Sequence, residues 1–109
     1  RVTEAVAVLD RAVALDPRRD DALRIIARLA FRMGDDALIG RVSDQLLRDF
    51  GQEPRALDLA AKGFRKLRRH AEAVKALRRL AELRPDLDEP LIRLAQAQAA
   101  AGEGEAALA

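Results

Sequence analysis

Residues 54–87 read PRALDLAAKGFRKLRRHAEAVKALRRLAELRPDL, and this stretch decides the fold. In its first half Leu57, Ala60, Ala61, Phe64 and Leu67 recur at helical spacing. In its second half Ala73, Val74, Leu77, Leu80 and Ala81 do the same. Pro54 suits a helix start, where its missing N–H costs nothing. Pro85 stops the second helix, because it cannot continue the backbone hydrogen bonds. The stretch therefore predicts two helices, over about 54–68 and 71–84, with His70 in the tight turn between them.

The stretch is 34 residues long, and a shift of 34 in either direction meets a related pattern. With units starting at Asp20, Pro54 and Asp88, position 4 holds Leu23, Leu57 and Leu91, and position 8 holds Ala27, Ala61 and Ala95. Small residues at position 8 let helix backbones approach closely. Position 15 is Gly34, Arg68 and Gly102; glycine suits a helix end that turns left-handed. Position 20 is Ala5, Ile39, Ala73 and Ala107, and position 32 is Pro17, Gly51 and Pro85. A fixed period of this size marks stacked repeats. The weakest unit is the second half of residues 20–53, with Ser43 and Gly51 at signature places.

The same logic extends along the chain. Helices are predicted at 3–15, from Asp20 or Asp21 to Met33, at 36–49, and from Asp88 to Gly102, with a last one opening at Glu105. Gly34-Asp35-Asp36 is the turn within the second unit, and Gly51 is expected to close the 36–49 helix. The buried stripes are predicted as Ala5, Leu9, Ala12 and Val13; Leu23, Ile26, Ala27 and Ala30; and part of Leu38, Ile39, Val42, Leu46 and Leu47.

This pattern resembles the tetratricopeptide repeat over essentially the whole chain. That family has small residues at positions 8, 20 and 27, and Pro at 32. The resemblance implies an all-α, right-handed solenoid of antiparallel helix pairs: part of a unit at 1–19, whole units at 20–53 and 54–87, and part of another at 88–109. In the family the first helices line a concave groove through positions 2, 5, 9, 12 and 13. Carried over, these are Asp21, Arg24, Arg28, Phe31 and Arg32; then Arg55, Asp58, Lys62, Arg65 and Lys66; then Glu89, Ile92, Gln96, Ala99 and Ala100. Seven of the fifteen are basic and three acidic. The implied partner is an acidic peptide or loop held by Arg24, Arg28, Arg32, Arg55, Lys62, Arg65 and Lys66, with Phe31 as an apolar contact. Alternating i, i+4 charges such as Asp20–Arg24 and Asp58–Lys62 also suit simple ion pairing. Some members clamp a chaperone's C-terminal carboxylate. The equivalent places here hold Arg24, Arg28, Leu59, Glu89 and Arg93, and Leu59 and Glu89 are the wrong chemistry.

Composition narrows the function classes. Net charge is +2, yet residues 62–84 carry nine basic against two acidic residues, and residues 85–109 carry one basic against five acidic. Such asymmetry bears on partners. There is no Cys, Trp or Tyr, and the three Phe leave a core of Leu, Ile, Val and Ala. Disulfide and thiol chemistry are excluded, and no apolar run approaches a membrane span. The hydroxyl residues are Thr3 and Ser43 and the one histidine is His70, so no nucleophile and base pair up. No cofactor is implied. A lone His70 reads as a turn residue, since zinc needs about three or four ligands. Asp20-Asp21 and Asp35-Asp36 read as helix caps, not as cation sites.

Arg65-Lys66-Leu67-Arg68-Arg69-His70 reads either as a nucleic-acid patch or as a solvated helix end. Single-strand binding normally adds aromatic platforms, which are lacking. A scaffold is thus expected, with two alternatives. One is the accessory region of a larger bacterial enzyme such as a transferase, the source suggested by 17 Arg against 3 Lys. The other is a helical-repeat RNA binder of the pentatricopeptide type, whose usual period is one residue longer. In a solenoid the end units expose apolar faces. Leu9, Val13, Leu91 and Leu94 are therefore expected to lack partners, which would favour a longer chain or head-to-tail self-association.

Overall fold

Six helices follow in order: α1 (Val2–Leu15), α2 (Asp21–Met33), α3 (Asp36–Asp49), α4 (Pro54–Lys66), α5 (His70–Leu83) and α6 (Glu89–Leu108). The structure, a computed structural model, describes residues 2–108, with the side chains of residues 2–102. Among the described residues there is no strand.

Local chemistry sets the ends. Pro54 opens α4. The Asp35 carboxylate accepts from the Leu38 N–H at 3.1 Å and caps α3, worth about 1 kcal/mol. Gly34 takes φ +67°; its N–H donates to the Phe31 carbonyl and the Asp35 N–H to that of Ala30. The end of α4 repeats this one period later. Arg68 takes φ +59°, its N–H donates to the Arg65 carbonyl and the Arg69 N–H to that of Phe64. The two turns share one backbone design, closed by paired hydrogen bonds across a left-handed residue. At residue 68 that residue carries a side chain, which costs about 1–2 kcal/mol.

Several expectations are corrected. α4 stops at Lys66, and His70 opens α5 instead of lying in the turn. Asp20 stands at the head of α2 without capping it: its carboxylate makes no cap hydrogen bond and lies 3.2 Å from Arg24. Gly51 does not close α3, which ends at Asp49 with Phe50 following. A Cβ at Gly51 would stand 2.9 Å from the Leu47 carbonyl oxygen. No turn occurs at Gly102, because α6 continues through Leu108 and no new helix opens at Glu105. The side chain of Ala107 lies outside the described residues.

Each helix packs on the next, and α2 also packs on α4. Ion pairs tie further alternate helices: Arg41 of α3 to Asp10 of α1 at 3.3 Å, and Arg93 of α6 to Asp58 of α4. Just before α5, Arg69 reaches Asp44 of α3 at 2.7 Å. Asp10 and Asp44 stand 34 residues apart, while their partners Arg41 and Arg69 do not, so only the acceptor end of these two ties recurs with the sequence period. The molecule measures 42 × 32 × 19 Å. The short dimension is that of two helices at about 10 Å each.

The core is centred on Phe64, with Leu23, Ile26, Val42, Leu46, Leu57 and Leu77 around it, all fully buried. The α2 stripe is buried as expected, and α5 adds Ala76. Leu38, Leu47, Leu67, Val74 and Ala81 are half-buried. Ser43 is buried, and its place in an otherwise apolar series is explained by Gly63 of α4. A Cβ on Gly63 would stand 1.9 Å from Ser43 Oγ and 3.3 Å from Ile39 Cγ2. α3 and α4 therefore meet through two small residues.

At the first end α1 contributes no fully buried residue and Ala12 is exposed. Leu9, Val13 and Leu94, expected to lack partners, pack against the core. Leu91, also expected to lack a partner, is exposed, as are Val8, Leu15, Ile25, Met33, Leu87 and Ile92.

Candidate partner-binding face

Two concavities lie beside α4, one toward α2 and one toward α6. The first, of about 310 Å³, is walled by Arg24 and Arg28 of α2 and by Arg55, Asp58, Leu59 and Lys62 of α4. Four of the seven cations expected to share a face are thus brought together. The cause is the 3.6-residue helical period: Arg24 and Arg28 are four apart, as are Asp58 and Lys62, so each pair stacks on one side of its helix.

The charges here are partly spent. Arg24 Nε sits 3.2 Å from Asp20 Oδ2 but off its donor direction, so the buried Nε makes an ion pair without a hydrogen bond. Lys62 lies 3.6 Å from Asp58. Asp58 also receives Arg93, which in turn meets Glu89 at 3.1 Å. A chain of alternating charge, Lys62–Asp58–Arg93–Glu89, crosses from α4 to α6. Arg28 and Arg55 are exposed, and among the described residues neither has an ion pair. They supply the uncompensated charge of this concavity.

The second concavity, of about 510 Å³, lies between the end of α4 and α6. Lys62, Arg65, Lys66, Arg68 and His70 form one wall. Gln96 with the small Ala97 and Ala100 forms the other. No acidic side chain lines it among the described residues.

The basic run at residues 65–70 is therefore divided. Arg69 points away from this concavity and is structural. It makes two hydrogen bonds to Asp44, at 3.1 and 2.7 Å, and one to Glu72. Its guanidinium lies 4.9 Å from the centre of the Phe64 ring. The bond to Asp44 holds the Arg69 guanidinium above its usual pKa, with burial acting against it. Arg65, Lys66 and Arg68 are exposed.

Two expected residues fall outside both concavities. Phe31 is half-buried against the core, so it is not a free apolar contact. Arg32 is exposed and lines neither concavity. The groove set expected from the sequence left out Arg93, next to Ile92, Arg68 in the turn, and His70 at the start of α5. The signal for Arg68 was present: it replaces glycine at the place of Gly34.

Three of the four carboxylates considered as cation sites meet the chain's own groups. Asp21 meets Arg19 at 2.5 Å, Asp20 meets Arg24, and Asp35 caps α3. Among the described residues no three His, Cys, Asp or Glu side chains gather as metal ligands. No helix among them is long and apolar enough to cross a membrane. No family model matches the chain, and no curated protein matches it in sequence.

Proposed function

We propose that the six helices are a stretch of right-handed, tetratricopeptide-like solenoid that works without catalysis, as a scaffold holding an acidic segment of a partner protein. The units run 1–19, 20–53, 54–87 and 88–109. Two features support the repeat reading. The left-handed turns at Gly34 and Arg68 recur one period apart, and α2 packs on α4 while α3 lies between them in sequence. The non-enzymatic reading is supported by the placement of the reactive groups: Ser43 is buried against Gly63, while His70 lines the second concavity.

The observation that carries the binding reading is the α2–α4 concavity, where Arg28 and Arg55 stand exposed and unpaired beside Arg24 and Lys62. A concave surface focuses such a field more than a flat one, and guanidinium groups offer two parallel donors to a carboxylate. The expected partner is an extended Asp/Glu-rich segment.

The test is the double reversal Arg28→Glu with Arg55→Glu, read by titration with an Asp/Glu-rich peptide at low and moderate salt. The expected result is a loss of affinity of about tenfold or more with an unchanged melting curve, and weaker wild-type binding as salt rises. Unchanged affinity would remove the α2–α4 face from the account.

A further inference from the structure

We propose that the second concavity, between the α4–α5 turn and α6, receives a phosphate group carried by the acidic partner segment. The proposal rests on the reading of the adjoining concavity as a peptide-binding face.

Three observations converge on it. The first is charge. Arg65, Lys66 and Arg68 meet at one wall with no ion pair among the described residues, and Lys62 beside them is held only loosely, 3.6 Å from Asp58. Other arginines do meet carboxylates, as Arg41 with Asp10, Arg69 with Asp44 and Arg84 with Asp86; Arg28 and Arg55 of the adjoining concavity are, like this cluster, unpaired among the described residues. A cluster left unneutralised in a concave site raises a strong local potential.

The second is backbone. Arg68 holds φ +59° where the equivalent turn one period earlier has Gly34 at +67°. Glycine would take this conformation without strain. The arginine there is a local cost to stability, and its side chain lines the concavity. Strain of this kind points to function when the side chain it displays has a use.

The third is shape. The facing wall of α6 presents Gln96, a hydrogen-bond donor, and the small side chains Ala97 and Ala100, which leave about 510 Å³ open. That is room for a phosphorylated side chain with its flanking backbone.

The choice of phosphate over carboxylate follows from charge count. A single arginine can satisfy a carboxylate, as Arg41 does Asp10. Three cations lining one wall match a group of nearly two negative charges with three acceptor oxygens. The choice of a single group over a nucleic-acid backbone follows from the boundary. Asp58 and Glu89 interrupt the basic surface beside the concavity, so no continuous track for successive phosphates exists there.

The experiment titrates the full chain with an Asp/Glu-rich peptide carrying one phosphoserine, with the same peptide bearing unmodified serine, and with single-stranded RNA. Wild type is compared with Arg68→Gly and with Arg65→Gln/Lys66→Gln. In wild type, phosphorylation is expected to tighten binding by about tenfold. Arg68→Gly is expected to melt a few degrees higher, yet to lose most of the gain from phosphorylation while binding the unmodified peptide as before. The double variant is expected to abolish the gain. Equal affinity for the two peptides would overturn the proposal, as would an intact gain in Arg68→Gly. RNA displacing the peptide while phosphorylation adds nothing would also overturn it. If the unmodified peptide fails to bind at all, the peptide-binding reading falls. If it binds and phosphorylation adds nothing, only the phosphate site falls.

Discussion

The turns at Gly34 and at Arg68 occupy the same place in the 34-residue period and use the same backbone hydrogen bonds, yet they are built for different ends. The first has glycine in the left-handed position and Asp35 capping the next helix through the Leu38 N–H. The second has arginine in the left-handed position, and Arg69, where Asp35 would stand, makes no side-chain cap to α5. It recovers stability through side chains instead, with Arg69 bridging Asp44 and Glu72 over Phe64. Identical backbones thus carry two chemistries. One optimises local stability, and the other gives up some of it to gather positive charge between the end of α4 and α6.

The largest expected effect comes from the scaffold that holds the two turns in a fixed relation. Gly63→Val would push a side chain into Ser43 and Ile39 and should destabilise by about 2–3 kcal/mol. Chemical denaturation measures it. A loss under about 0.5 kcal/mol, as at an ordinary surface site, would mean that the α3–α4 contact is not the close approach described.

Next in size are the two stabilising devices. Arg69→Ala should cost about 1–2 kcal/mol, through loss of the paired hydrogen bonds and the contact with Phe64. Asp35→Ala should cost about 1 kcal/mol through loss of the cap. If Arg69→Ala were neutral, the second turn would have no compensating device and the comparison would fail.

Smaller, and opposite in sign, is the reciprocal exchange of the left-handed residues. Gly34→Arg should destabilise by about 0.5–1 kcal/mol and Arg68→Gly should stabilise by a similar amount, the relief of strain being offset by the greater unfolded-state freedom of glycine. Nothing lies within 4 Å of a Cβ at Gly34, so the first change tests backbone strain without a clash.

The smallest effect lies outside both turns and sets their baseline. Arg19 holds the Asp21 carboxyl below its ordinary pKa by a hydrogen bond, and Arg84 does the same for Asp86. Each stabilises the fold while ionised. That contribution is present above the ordinary carboxylate pKa of about 4 and is lost as pH falls through the lower folded-state value. Both pairs are exposed, so Asp21→Asn with Asp86→Asn should barely change the melting point at neutral pH and should flatten its decline in acid.

The helical periodicity was legible in the sequence wherever apolar spacing alone decides burial. Leu23, Ile26, Ala27 and Ala30 of α2 are all buried as expected, because one face of an amphipathic helix has one place to go. Turn chemistry was legible where glycine or proline imposed it, at Gly34 and Pro54. It misled at Gly51 and Gly102, because glycine permits a helix end without requiring one, and α6 runs through Gly102. The candidate face was half legible. Helical period alone put Arg24 with Arg28 and Asp58 with Lys62 on common faces. Partners across helices were not readable from one helix at a time, so the Asp58–Arg93–Glu89 chain and the packing of half-buried Phe31 against the core emerged only from the fold. The basic run at 65–70 reads as one feature in sequence and is two in the fold, because the left-handed bend at Arg68 sends Arg69 toward α3.

The most direct test of the central claim is a map of amide chemical shifts in the labelled protein titrated with an Asp/Glu-rich peptide. The account predicts salt-sensitive shifts along α2 and α4, centred on Arg28, Arg55 and Lys62, with α3 and the outer side of α5 silent. Shifts centred on Lys75 and Arg78 of α5, with Arg28 and Arg55 unmoved, would contradict it.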